Sequence, residues 1–264
     1  MSNKEQRGQE AQITNATALQ AVLPVSAGFM PLARPSTLRK RRPVSWQVAV
    51  VDGCNYGRAG LLAALRDAPQ WDGLKLRPKG ARDFGALNTL LAAGAPEDTF
   101  RLDCLVVRLP ADPRAALSAL LQLGAPSIPL ALTERLVVLS ALSPELVLRV
   151  LSGVGVRLWV RVVDDRLPLA VLCRAMCPPG ELCDPDIMAW SELLLADTGT
   201  PKLSCKERGV LWQCLQMVSV HALARRLEIS SKTLYSQRQG ALNKLGAAHL
   251  KVLLRQFRIQ PGNT

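Results

Sequence analysis

The chain has 264 residues, of which 48% are apolar, so it is long enough to bury one large core or two smaller ones. Prolines and charged residues interrupt its apolar stretches, so the sequence predicts no transmembrane helix. Its seven cysteines are irregularly spaced and do not fit a disulfide framework. We therefore expect a soluble cytoplasmic protein with no membrane partner, no bound metal and no other cofactor.

The net charge of +12 is distributed unevenly along the chain. Residues 1–45 contain 7 Lys/Arg and 2 Asp/Glu, residues 46–200 contain 15 and 17, and residues 201–264 contain 11 and 2. A strongly basic segment behind a nearly neutral middle is typical of a nucleic-acid-binding module attached to a domain with another role.

The first 45 residues show no sustained hydrophobic periodicity and end near a run of four basic residues, 39–42. This composition predicts a flexible N-terminal arm over residues 1–45. Translation from Met1 and from Met30 both remain open.

From Trp46 onward, short β-type runs alternate with runs of helical periodicity, as in a parallel sheet covered by helices. Five such units predict a flavodoxin-like α/β domain over residues 46–176. Residues 177–200 are interpreted as a linker with one helix over 184–196. The predicted strands are 47–51, 74–77, 103–107, 136–139 and 156–160, and the predicted helices are 57–67, 83–93, 113–123, 144–151 (after Ser143 as N-cap) and 165–176.

The basic C-terminal segment contains three helix-start signals. Ser204 and Glu207 form a capping box, Ser219 precedes a second helix, and Ser230 or Ser231 caps a third. Two helices joined by a tight turn, the second of them polar and cationic, predict a helix-turn-helix. On the third helix the apolar residues share one face, and the residues expected to point outward toward a major groove are Lys232, Tyr235, Ser236 and Gln239.

The segments LSCKERGVL (203–211) and ALARRLEISSKTLYSQRQGALNKLG (222–246) closely resemble the DNA-binding domain of LuxR/FixJ-type transcription regulators. The resemblance covers about the last 60 residues and implies an all-α four-helix domain over residues 201–264. Gln237 followed by Arg238 is similar to the capsule-regulation (Rcs-type) subset. Met217 departs from the family, which usually has a glycine in the turn between its first two helices.

The resemblance also implies roles for individual side chains of the third helix. Cationic, hydroxyl and amide donors contact phosphate oxygens, while other residues read base edges. For Arg225 and Arg226, phosphate contact and a solvated helix face both remain open. The implied phosphate contacts are Lys232, Thr233, Gln237, Arg238 and Lys244, and the implied base readers are Tyr235, Ser236 and Gln239.

The strand QVAVVD, followed by GRAGLLAAL, resembles the start of the receiver domain of response regulators. That family holds Mg²⁺ with two acids after the first strand, accepts phosphate on an aspartate after the third, and has Ser/Thr and Lys after the fourth and fifth. Arginine cannot form an acyl phosphate, and one acid is a poor Mg²⁺ site, so we expect no phosphorylation and no enzymatic activity. The corresponding degenerate pocket here consists of Asp52, Arg108, Ser140 and Arg161, with Gly53 in place of the second acid.

Two interpretations of this pocket stay open. In the first, Arg108 and Asp52 form a paired, hydrogen-bonded contact, a lock that fixes a phosphorylation-independent conformation. In the second, the pocket is a relict without a function, and the arginine is solvated.

These observations predict a sequence-specific bacterial transcription regulator of atypical response-regulator type. Its expected partners are double-stranded DNA, a dimer partner and RNA polymerase. The dimer partner is a second copy or an Rcs-type regulator, and it is needed because a single helix-turn-helix reads few base pairs. The alternative is a ligand-sensing regulator whose cationic pocket, containing Arg108 and Arg161, binds a small anionic metabolite.

Overall fold

The computed structural model describes residues 45–67, 75–93, 102–128, 130, 133–177, 190–195 and 201–257. All of them belong to one compact unit, Pro43–Thr264. Within these ranges, no helix has the length and apolar character needed to cross a membrane. The predicted N-terminal arm lies outside the described residues except for Ser45, which begins the first strand.

One sheet organises the first part of the chain. Its strands are β1 (Ser45–Val51), β2 (Lys75–Ala81), β3 (Leu102–Arg108), β4 (Thr133–Leu139), β5 (Trp159–Val163) and β6 (Trp190–Leu194). They lie in the order β2-β1-β3-β4-β5-β6; the first five are parallel, and β6 is antiparallel to β5. The order of the five parallel strands confirms the predicted flavodoxin-like fold.

Helices cover both faces of this sheet. They are α1 (Asn55–Asp67), α2 (Phe84–Ala92), α3 (Pro113–Leu123), α4 (Pro144–Gly153) and α5 (Leu169–Met176). Alternate strand residues point to opposite faces, so Val48 and Val50 lie in a core with α1 and α5, whereas Ala49 and Val51 lie in a core with α2, α3 and α4. We call the sheet and these five helices the α/β part.

Three predictions along the α/β part are wrong in position. β2 continues to Ala81 through Pro78, because among the described strands it lies at the edge of the sheet, beside β1, and tolerates a residue without an N–H group. Helix α5 begins at Leu169, after Pro168, and not at residue 165. Ser143 precedes α4 but does not cap it through its side chain, because its hydroxyl hydrogen-bonds to Glu145 instead.

The largest corrections concern the fifth strand and the segment that follows it. β5 begins at Trp159, three residues later than predicted, because the buried run continues through Arg161 to Val163. Residues 190–194, predicted as part of a helix, form β6. Hydrogen bonding along the edge of β5 outweighs the helical periodicity of this short segment.

Four further helices follow: α6 (Cys205–Leu215), α7 (Val220–Leu227), α8 (Ser231–Lys244) and α9 (Leu250–Gln256). We call them the C-terminal helices. Side-chain oxygens of Ser204, Ser219 and Ser230 accept backbone N–H groups at the starts of the first three, and the predicted capping box with Glu207 is present. The predicted four-helix arrangement is confirmed, with Ser230, not Ser231, as the cap of α8.

The C-terminal helices share a hydrophobic core with α3 and α4. Leu211, Leu253 and Phe257 are fully buried and belong to the same core as Leu117 and Val150. A Cβ on Gly153, at the end of α4, would lie 2.9 Å from the Leu245 side chain, so the two parts approach closely. We infer that docking of the C-terminal helices on α3 and α4 is part of the folded state.

Hydrogen bonds border this shared core. The Leu203 N–H donates to the Gly153 carbonyl at 2.8 Å, and the Gln216 amide donates to the Ser118 hydroxyl at 3.2 Å. The Arg208 guanidinium donates to the carbonyl of Gly124. These bonds satisfy polar groups at the ends of α3 and α4 and in the middle of α3 that docking would otherwise leave without water.

Met217, in the turn between α6 and α7, has a left-handed backbone with φ of 61°. An L-residue pays about 1–2 kcal/mol for this conformation, whereas glycine does not. We expect Met217→Gly to raise the free energy of unfolding by about 1 kcal/mol, since the side chain is 73% exposed and packs little. Urea unfolding would measure this, with Met217→Ala as the control that removes the side chain but keeps the strain; equal effects would contradict the prediction.

Candidate nucleic-acid interface and the pocket at the sheet edge

Helix α8 divides into a buried face and an exposed face. Leu234, Ala241 and Leu242 are buried, and Leu245 after the helix end is buried with them, as predicted. Outward, Lys232, Thr233, Tyr235 and Ser236 are exposed, and the Tyr235 side chain keeps 44% of its accessible surface. The first two turns of α8 therefore present a cationic, hydroxyl-rich surface that is open to a ligand.

The exposed Tyr235 ring is held from two sides. The guanidinium carbon of Arg238 lies 5.1 Å from the ring centroid, within cation–π distance. The His221 ring meets Tyr235 edge-on at a centroid distance of 6.5 Å, and its Nδ1 hydrogen-bonds to the Ser231 hydroxyl at 3.2 Å. These contacts fix the ring before any ligand arrives.

His221 was missed by the sequence analysis. It lies on α7, and its contact with α8 depends on how the two helices cross. A histidine in an otherwise ordinary helix gave no signal of this role.

Three of the predicted contact residues are engaged within the protein. The Arg238 side chain is half-buried against Tyr235, and its Nε is buried with no hydrogen-bond partner among the described residues. The Gln239 amide donates to Asn243 Oδ1 and to the Ala248 carbonyl, both at 2.9 Å. Lys244 Nζ donates to Glu207 Oε2 at 2.8 Å and to the Lys202 carbonyl at 3.0 Å.

The pair between Lys244 and Glu207 joins the end of α8 to the start of α6. Burial alone would raise the pKa of Glu207, but hydrogen bonds from Lys244 and from Ser204 lower it below its ordinary value of 4.5. The same carboxylate accepts the Ser204 N–H at 2.7 Å and so completes the capping box. Lys244 thus has a structural contact in place, whereas Lys232 and Thr233 remain exposed.

The pocket at the carboxyl edge of the sheet brings Arg108 between two carboxylates. Its Nη1 lies 3.7 Å from Asp52 Oδ2, and its Nε and Nη2 both donate to Asp165 Oδ2 at 3.3 Å. The Asp52 side chain is 5% exposed and the Arg108 side chain 30%. Arg108 and Asp52 lie within ion-pair distance, but the hydrogen bond expected between them is not formed. The hydrogen bonds of the guanidinium go to Asp165, which the sequence analysis placed inside a helix.

The remaining two predicted pocket residues separate. Ser140 directly follows β4 at this edge, where its buried hydroxyl accepts the Leu142 N–H at 3.0 Å. Arg161 lies within β5, is 1% exposed, and donates from Nη1 to the Ala175 carbonyl at 2.6 Å, beneath α5. The expectation that Arg161 follows the fifth strand is therefore wrong, because the strand extends two residues beyond it. A cationic pocket shared by Arg108 and Arg161 does not form.

Helix α1 approaches the ion pair at Gly57. A Cβ at this position would lie 2.7 Å from Asp52 Oδ2 and 2.8 Å from Arg108 Nη1, closer than real contacts allow. Only glycine lets the helix backbone rest on the pair without moving it. In the described ranges, no cluster of three or more His, Cys, Asp or Glu side chains is arranged to hold a metal ion.

Comparison with known proteins gives structural likenesses only. No protein-family model matches the sequence, and no curated protein matches it. Among solved structures, the chain is similar to RcsB from Salmonella enterica serovar Typhimurium bound to the promoter rprA with a phosphomimetic (20% identity, 81% of this chain, 98% of that one, TM-score 0.42). It is also similar to the two-component response regulator RcsB in complex with DNA, with 19% identity over 81% of this chain and 99% of that one and a TM-score of 0.41. A third similar structure is the response regulator ChrA of a heme-sensing two-component system, with 18% identity over 81% of this chain and 96% of that one and a TM-score of 0.25.

The contact between Gly57 and the ion pair can be tested by comparing two glycines of the same helix. Gly57→Ala should lower the free energy of unfolding by about 1–2 kcal/mol, because its Cβ would push Asp52 and Arg108 apart. A Cβ at Gly60 would have nothing within 4 Å. Gly60→Ala should therefore raise the free energy of unfolding by up to about 1 kcal/mol, because alanine has the higher helix propensity. Chemical denaturation of both variants measures the difference, and equal shifts would contradict the geometry.

Proposed function

We propose that this protein is a sequence-specific transcription regulator that binds double-stranded DNA through α8. The observation that carries the proposal is the exposed surface of its first two turns, where Lys232, Tyr235 and Ser236 face outward on a helix whose apolar side is buried. A recognition helix in the major groove contacts base edges with side chains of its N-terminal residues, and these side chains occupy that part of α8.

The charge of the C-terminal segment supports a nucleic-acid partner. Residues 201–264 carry 11 Lys/Arg and 2 Asp/Glu. A segment of this charge gains affinity for DNA by releasing counterions from the phosphates, so its affinity should fall steeply as salt is added.

Side chains on α8 divide into readers and supports under this proposal. Lys232, Thr233 and Gln237 contact phosphates, and Tyr235 and Ser236 read base edges. Arg238 positions the Tyr235 ring, while Gln239 and Lys244 hold the end of α8 in place through the hydrogen bonds described above. Under this assignment Arg238, Gln239 and Lys244, which the sequence analysis expected to contact DNA, support the structure of the domain instead.

The α/β part acts as a receiver-like domain that works without phosphorylation. Arg108 stands between Asp52 and Asp165 and supplies the positive charge that two carboxylates at one sheet edge require. A guanidinium cannot form the acyl phosphate that an aspartate forms, and as part of the chain it does not dissociate, so the pocket stays in one state. We include in the proposal that the chain has no enzymatic activity and acts in the cytoplasm.

Dimerisation belongs to the same proposal. One recognition helix contacts too few base pairs to select a site in a genome, so a second copy or an Rcs-type partner would supply the other half-site. RNA polymerase is the expected downstream partner of such a regulator.

The roles of Lys232 and Tyr235 can be separated by binding measurements on a panel of duplexes. Lys232→Ala should weaken binding to every duplex alike. It should also make the slope of log affinity against log salt concentration shallower by about 1, the value of one phosphate contact. Tyr235→Ala should change the ranking of the duplexes, with losses of about 1–3 kcal/mol at some sites. Arg66→Ala, which removes a charge from α1, is the control; if both test variants leave the ranking unchanged, α8 does not read the sequence.

Independence from phosphorylation can be tested with acetyl phosphate and Mg²⁺. The wild-type protein should keep its mass and its DNA affinity, because Arg108 occupies the acceptor position. Arg108→Ala leaves two carboxylates without their cation, and we expect it to lower the melting temperature. Arg82→Ala, which removes a surface arginine paired with Asp83, is the control for charge loss. A stable phosphorylated wild-type protein would contradict the proposal.

A further inference from the structure

A groove of about 570 Å³ lies between the start of α3 and helix α9. Its apolar lining consists of Pro113, Leu250 and Leu254, all half-buried. A volume of this size is in the range of small-molecule binding sites, which occur preferentially where two parts of a protein meet.

Three cations border the groove: Arg114, Lys251 and Arg255. All three are exposed, and none forms an ion pair with a carboxylate among the residues that the structure describes. Arg114 contacts the Met217 thioether, which carries no charge.

One carboxylate, that of Asp112, also lines the groove, but it is already engaged. It accepts the Ala115 N–H at 2.8 Å as the N-cap of α3 and forms no ion pair with a groove cation among the described residues. Three cations and one carboxylate leave the groove with a net positive charge beside its apolar lining.

We propose that this groove binds an amphipathic anion, that is, a carboxylate, sulfonate or phosphate ester with an apolar body. The apolar body would cover Leu250 and Leu254, and the anionic group would accept hydrogen bonds from the cations at the rim. The pocket at the sheet edge is unsuited to this role, because Arg108 there is already between Asp52 and Asp165.

The position of the groove gives the ligand a structural effect. Arg114 belongs to the α/β part, and Lys251 and Arg255 belong to α9, so one anion would connect the two parts across their docking interface. A ligand that binds only the docked state stabilises that state in proportion to its occupancy. Binding should therefore raise the melting temperature of the full chain, independently of DNA binding.

The test uses the full chain and a fluorescent amphipathic anion, anilinonaphthalene sulfonate, with its uncharged parent N-phenylnaphthylamine for comparison. We expect saturable binding of the sulfonate at one site and an increase in melting temperature. Arg114→Ala and the double variant Lys251→Ala/Arg255→Ala should each weaken sulfonate binding by about tenfold or more, while binding of the uncharged dye stays unchanged. The control Arg66→Ala/Lys206→Ala loses two exposed charges elsewhere and should bind the sulfonate as the wild type does.

Two results would overturn the proposal. Equal sulfonate binding by all variants would mean that the dye reports apolar surface elsewhere. A loss of DNA affinity in the groove variants beyond that of the charge-matched control, with no dye present, would mean that the groove is part of a DNA-binding surface. Because dye binding is measured without DNA, failure here is distinguishable from failure of the proposed transcriptional function.

Discussion

Apolar contact between α3 and the C-terminal helices is the constraint on which the rest of the structure depends. The core of the sheet continues through Leu117 into Leu211 and Leu253, so the helix-turn-helix is not attached by a contact-free tether. Removing this contact would expose a large apolar area on both parts, and burial of such area is the main favourable term in folding. The docked arrangement therefore determines which surfaces of the C-terminal helices remain open.

Docking leaves the first two turns of α8 exposed. The parts of the C-terminal helices that meet the α/β part are α6, α9 and the end of α8, where Leu245 approaches Gly153. The start of α8, with Lys232 and Tyr235, stays exposed. Under the proposed function, α8 therefore needs no release before it binds DNA, which agrees with a pocket that holds a permanent cation at Arg108.

Several polar residues of α8 that were predicted to contact DNA make contacts within the protein that the sequence did not predict. Gln239 and Lys244 lie at positions where their helical spacing suits a DNA contact, yet both bind backbone carbonyls within the domain. Arg238 supports the Tyr235 ring through its π face. Helical periodicity tells which way a side chain leaves the helix, but not which neighbours it meets.

Local signals explain how much of the fold was predictable from the sequence. Capping residues such as Ser204 and Ser219 act within a few residues of themselves, so the helix starts they mark agree with the structure. Arg161 was misplaced because a charged residue looks like the end of a strand, although its buried guanidinium bonds to a carbonyl of α5. Strand β6 depends on pairing with β5, and the contact of Asp165 with Arg108 depends on the order of the strands in the sheet. Neither is local information.

Amide hydrogen exchange on the full chain, with and without a selected DNA duplex, tests the central claim most directly. The account predicts that DNA protects amides in the first half of α8, residues 231–237, while amides of α3, α6 and α9 at the shared core exchange as slowly as before. Faster exchange at Leu117, Leu211 and Leu253 on DNA binding would contradict it, because the C-terminal helices would then have to leave the α/β part before they could bind DNA.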